Sequence, residues 1–165
     1  MSVRIVLAAA TLAGLLAVPV AQAQAQEAVV GVANAEALFT SKNPALNRNK
    51  QAAYHIEKEL LECNEWDRAG EWLTKAYHQH NPQAKSGLDG VVYFFTQVMK
   101  RKATPCPVKM TNKVVAVIAE GDYVTVVTPR NLKDAKTGEA YTSTWFDTWR
   151  FVGGKADEHW DTATR

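Results

Sequence analysis

Apolar residues repeat with two different periods along this chain, and the change from one to the other near Pro107 is what most restricts its fold. Ala53, Ile56, Leu60 and Cys63 recur at 3-4-3 spacing, which predicts one apolar helix face from about Asn49 to Cys63. Trp66, Ala69, Leu73 and Ala76 repeat that spacing after Asn64 and predict a second helix. A third opens at Ser86-Gly87-Leu88-Asp89, the pattern of a capping box, and carries Leu88, Val91, Val92 and Phe95 on one face. Pro105 and Pro107 forbid its continuation. From there the period is two. Val114–Ala119, a tight turn at Glu120-Gly121-Asp122 and Tyr123–Thr128 read as a hairpin. Residues 131–140 read as a polar loop, Tyr141–Val152 as a long strand, Gly153-Gly154 as a hairpin turn and Lys155–Asp161 as the closing strand. Helices followed by a meander predict an α+β domain, with three N-terminal helices packed on a curved antiparallel sheet.

The N-terminus has a different character. Arg4 followed by the apolar run Ile5–Val20, then small residues at Ala21-Gln22-Ala23 and again at Ala23-Gln24-Ala25, either of which fits a cleavage site, predicts a cleaved signal peptide over residues 1–23. The run is short for a membrane-spanning helix, and no flanking charges stop transfer. The expectation is a periplasmic or secreted protein with no membrane attachment after cleavage. Residues 24–45 predict a flexible lead-in with a short helical turn near Ala35–Phe39, and residues 46–165 the folded domain. The net charge is +2, or +1 without Arg4, and no five like charges occur together. Binding to nucleic acid or to an anionic membrane therefore has no electrostatic basis. Cys63 and Cys106 sit in a chain whose expected compartment permits disulfides, and either a bond or two free thiols fits the sequence.

Tyr141–Val152 is the most informative segment. Its odd positions carry Tyr141, Ser143, Trp145, Asp147, Trp149 and Phe151, so the aromatic face should point toward the helices. Asp147 then lies among aromatic rings. Burying that carboxylate unpaired costs several kcal/mol, so it must find a partner, hold a proton or line a wet pocket. An aromatic-walled hollow around one polar group has the form of a small-molecule site.

The elements Asn49-Lys50, Tyr77-His78-Gln79-His80-Asn81-Pro82 and Gly87-Leu88-Asp89-Gly90 resemble the SnoaL-like family. So does the tail Phe146-Asp147-Thr148-Trp149-Arg150, Gly154-Lys155 and Glu158-His159-Trp160-Asp161. The resemblance covers roughly residues 46–163. It implies the cone-shaped α+β fold of the nuclear transport factor 2-like superfamily, whose members include polyketide cyclases that work without metal or organic cofactor. It also implies a pocket holding His80, Asn81, Asp147 and His159. In a cyclase-like reaction Asp147 would take a proton from a carbon beside a carbonyl, while a neutral His80 or His159 donates to the enolate oxygen. Tyr141, Trp145, Trp149 and Trp160 are the expected substrate-contacting rings. A homodimer is common in the superfamily.

The strand register raises a conflict over His159. With an undistorted turn at Gly153-Gly154, Asp147 faces Trp160 and Thr148 faces His159, which puts His159 on the opposite face from Asp147. Only a β-bulge between Lys155 and His159 would bring the imidazole round. His78-x-His80 and His159-x-Asp161 carry metal-ligand residue types, but no established spacing signature occurs and no metal is expected. Two functional classes stand: a cofactor-free lyase or isomerase acting on a small, largely apolar carbonyl compound, or a non-catalytic periplasmic ligand-binding or interaction module on the same fold. Asp147→Asn separates them, since only an enzyme has turnover to lose.

Overall fold

Asn43 starts the first helix, its side-chain oxygen accepting from the amides of Ala45 and Leu46, with Pro44 in the first turn. The computed structural model describes residues 26–164, so the expected signal segment lies outside the described residues. Helix α1 runs Pro44–His55 and continues through wider π-type turns over Ile56–Glu62. It begins earlier than the apolar spacing predicts, because the cap rather than the core face sets its start. Ala52, Ala53, Ile56 and Leu60 form its buried face.

The second predicted helix is largely a strand. A short turn at Trp66–Arg68 leads into α2 (Ala69–Trp72), after which the chain extends as β1 (Leu73–Gln79). The helical reading placed Ala76 inside; the structure exposes Ala76 and buries Tyr77. The open edge of the last strand supplies backbone partners here, and that tertiary pairing overrides the local spacing. Helix α3 (Leu88–Tyr93) continues through Phe94–Val98. Its expected capping box does not form. Gly87, at φ 91°, is the cap residue, and the Ser86 hydroxyl instead accepts from the amide of Gln79.

The remaining strands are β2 (Ala116–Glu120), β3 (Tyr123–Lys133), β4 (Ala140–Val152) and β5 (Lys155–Trp160). The sheet order is β1-β5-β4-β3-β2. The expectation of a purely antiparallel sheet is corrected, because β1 runs parallel to β5. The predicted polar loop is also shorter, since β3 pairs with β4 as far as Lys133↔Ala140. Gly153 and Gly154 both take positive φ, as the tight β4–β5 turn requires. Between β4 and β5 the register shifts: Phe151 pairs with Ala156 but Arg150 with Glu158, so Asp157 is an extra, bulged residue.

The lead-in from residue 26 onward is docked rather than flexible. Val29 donates to Thr142 Oγ1, Val32 donates to the Val114 carbonyl, and Phe39, in the turn Glu36–Phe39, is fully buried. Cys63 and Cys106 are disulfide-bonded, with Cα atoms 5.2 Å apart across a separation of 43 residues. This ties the end of the α1 segment to the connection leading into the sheet. The core gathers Trp149, Phe151, Val124 and Val126 from one sheet face under α1 and the turn before it. Among the described residues no helix is long and apolar enough to cross a membrane.

Candidate functional site

Between the helices and the covered sheet face lies a cavity of about 520 Å³. Its apolar wall is supplied by Ile56 and Leu60 of the α1 segment, Trp66, and Phe94 and Phe95 of the α3 segment. Trp66 and Phe95 stack with ring centroids 3.8 Å apart. The polar side is built from three neighbouring strands. Tyr77 and Gln79 come from β1, Asp147 and Trp149 from β4, His159 from β5 and Asp161 from just beyond it.

The bulge at Asp157 decides the chemistry. It pairs Trp149 with His159, and Thr148 with Trp160, the reverse of the undistorted register. His159 is thereby buried beside Asp147, with Nε2 3.0 Å from Asp147 Oδ1. Asp147, 9% exposed, sits among aromatic rings on the helix-facing side as its strand alternation predicts. Trp160, expected as its neighbour, instead lies on the other face. Outside the cavity, Arg150 holds the bulge by donating from Nε to Glu158 and from Nη2 to Asp157. The Thr74 hydroxyl, donating to Asp157, and then Arg150 hold that carboxyl below the usual range. His80 and Arg150 do the same for Glu158.

A second contact sets the imidazole's orientation. The Gln79 side-chain oxygen accepts from the amide of Asn81 and lies 2.8 Å from His159 Nδ1. With the glutamine presenting its acceptor, Nδ1 carries a hydrogen and donates it. Nε2 then faces a carboxylate oxygen, and a contact of 3.0 Å between two acceptors requires one further proton on that line. Asp147 Oδ2 has no hydrogen-bond partner among the described residues. The Tyr77 oxygen accepts from Trp149 Nε1 at 3.2 Å, and its own proton has no acceptor among the described residues. Burial raises the Tyr77 phenol well above its ordinary value, so the group stays protonated and able to donate.

The expected site residues divide. Asp147, His159, Asn81, Trp145 and Trp149 border the cavity. Asn81 Nδ2 donates to Asp161 Oδ2 at 2.6 Å and holds the strand's exit in place. His80 is corrected out of the site: its side chain is 49% exposed, pairs with Glu158 and stacks flat on Trp160, centroids 5.1 Å apart. Tyr141 is corrected too, being 45% exposed at the far end of β4 and absent from the cavity wall. Trp160 does not border the cavity either. Tyr77, Gln79 and Asp161 were not singled out.

Glu57 was also missed. It is 3% exposed, its Oε1 has no partner, and burial first, then the nearby Asp147 and Glu62 charges, pushes its carboxyl well above the usual range. Its spacing gave a signal, because Glu57 lies four residues after Ala53 and three before Leu60 on the apolar helix face. Among the described residues, the one group able to hold a divalent cation is Asp147, His159 and Asp161, whose ligand atoms lie within 4.8 Å of one another. It does not include His78 or His80.

The model of the SnoaL-like domain matches residues 58–159, more than half of the chain. The chain belongs to the SnoaL-like domain family. Solved structures give this SnoaL-like protein the same fold. One, named a SnoaL-like polyketide cyclase, from Jannaschia sp. CCS1, is 15% identical with a TM-score of 0.51, and the match covers 74% of this chain and 91% of that one. An NTF2-like protein of unknown function from Burkholderia pseudomallei is 20% identical with a TM-score of 0.50, over 71% and 91% of the two chains. TerC, co-crystallised with polyporic acid, is 17% identical with a TM-score of 0.50, over 71% and 92%. No curated protein matches this SnoaL-like chain by sequence.

Proposed function

We propose that this SnoaL-like protein is an exported, cofactor-independent acid–base enzyme of lyase or isomerase type, acting on a small, largely apolar carbonyl compound. The observation that carries this reading is the Asp147–His159 pair, buried at one side of an apolar cavity of about 520 Å³. Asp147 Oδ2 takes the proton from a carbon beside the substrate carbonyl. His159, held by Gln79, stands behind the carboxyl and shares its proton along the Nε2–Oδ1 line. Because both ring nitrogens are engaged, the donor to the developing enolate oxygen is Tyr77 rather than a histidine. The proton then returns from Asp147 to the new carbanion position or leaving oxygen, so the group is regenerated. Export is supported by the signal-like residues 1–23 and by the Cys63–Cys106 bond, which suits an oxidising compartment.

Asp147→Asn tests the reading. It keeps the size of the side chain and removes the base, so turnover of a carbonyl substrate falls by about a hundredfold or more while affinity for a pocket ligand changes little. The assay is run on protein treated with a chelator. Turnover that vanishes with chelation assigns Asp147, His159 and Asp161 to a metal instead. Unchanged turnover in Asp147→Asn removes Asp147 as the base and overturns the mechanism, whereas ligand binding with no turnover from any carbonyl compound leaves a binding module.

A further inference from the structure

Arg130 differs from two arginines that carboxylates clamp. Arg68 is gripped by Glu59, Glu65 and Glu71, and Arg150 by Asp157 and Glu158. Arg130 has no ion pair and donates no side-chain hydrogen bond among the described residues. It is nonetheless held. Its guanidinium carbon lies 4.5 Å from the centroid of the Trp145 ring, a cation–π contact.

The sheet places this cation on the inner face. Thr128 pairs with Trp145 and Arg130 with Ser143, so Arg130 shares its face with Trp145 and Asp147, as do the buried Val124 and Val126. Arg130 and Trp145 border the cavity, and among the described residues no other lysine or arginine does. A cation–π contact uses none of the guanidinium's N–H groups as hydrogen-bond donors to protein, and the N–H edge of a guanidinium fits a carboxylate with two parallel hydrogen bonds. Trp145 is two strand residues from Asp147, about 7 Å along β4. The cation seated over Trp145 and the base therefore lie apart on one sheet face, with the cavity between them and the helices.

Resting on the acid–base reading of the same cavity, we propose that the substrate is an aromatic carbonyl compound bearing a carboxylate, and that Arg130 is the residue that selects it. The apolar wall takes the ring system, Arg130 takes the carboxylate at the rim, and the reacting carbon is delivered to Asp147 at the other end.

Isothermal titration of the mature protein with 2-naphthoate and with 2-naphthamide, its uncharged near-isostere, tests this. The wild type binds the carboxylate at least about tenfold more tightly than the amide. Arg130→Gln brings naphthoate down to the affinity of the amide and leaves the amide unchanged, and Arg130→Lys retains part of the preference. Equal affinities in the wild type, an Arg130→Gln effect that weakens both probes alike, or no binding of either probe overturns the proposal. Titration reads affinity without turnover, so Asp147→Asn protein shows the same preference. Failure of the acid–base reading appears separately, as turnover that Asp147→Asn leaves unchanged.

Discussion

His159 and Asp147 meet across neighbouring strands at 3.0 Å because Asp157 is an extra residue in β5. One inserted residue reverses the facing of everything beyond it, since side chains alternate along a strand. Without it His159 would stand on the outer face and Trp160 beside the carboxyl. The Arg150 clamp outside the sheet and the Gln79 contact inside act on the same short segment.

Gln79→Leu tests the inner contact. It leaves His159 Nδ1 without an acceptor in a buried setting, so the ring no longer has one enforced tautomer. Turnover should fall about tenfold, the kinetic equivalent of losing one buried hydrogen bond, with little change in KM. The Nδ1–H resonance of His159 should be visible in proton NMR of the wild type, where Gln79 holds it, and should broaden or vanish in the variant. Gln79→Glu, which keeps an acceptor, should retain that resonance.

Tyr77→Phe separates donation to the enolate from packing. Removing the hydroxyl leaves Trp149 Nε1 buried without a partner and should cost about 1–3 kcal/mol in urea denaturation. If Tyr77 also donates to the developing oxyanion, kcat falls about a hundredfold with KM nearly constant. A stability loss with unchanged kcat assigns Tyr77 to packing alone.

Glu57→Gln should change the pH dependence of stability. The folded-state carboxyl of Glu57 titrates above the ordinary value of 4.5, chiefly because it is buried. The folded state therefore keeps a proton that the unfolded chain has released. Its contribution is fully present below about 4.5 and is lost as pH rises through the folded-state value. Glutamine is neutral throughout, so the variant should be more stable than the wild type at pH 8, with the advantage shrinking or reversing at pH 4. Urea midpoints at the two pH values measure this. Parallel pH curves for the two proteins would show that Glu57 reaches water.

The Cys63→Ser/Cys106→Ser double variant should lose about 3–4 kcal/mol, since a bond closing 43 residues removes much freedom from the unfolded chain. For a domain of this size that is a fall in Tm of about 10 °C. The same fall is expected when the wild type is melted with a reductant, and the variant should then be insensitive to it.

The core face of α1, the β2–β3 and β4–β5 hairpins and the inward placement of Asp147 were legible in the sequence. Each depends on contacts between residues a few positions apart, where the alternation of apolar and polar groups carries the information. Three things were decided only by the tertiary structure. Leu73–Gln79 became a strand because β5 offered it an edge, which turned Tyr77 and Gln79 into the site. The disulfide formed because the fold brought Cys63 and Cys106 within reach, which spacing along a chain cannot state. The bulge at Asp157 chose His159 over Trp160 as the neighbour of Asp147. Periodicity is a property of one segment, whereas register and edge pairing belong to two segments at once, and neither segment alone contains them.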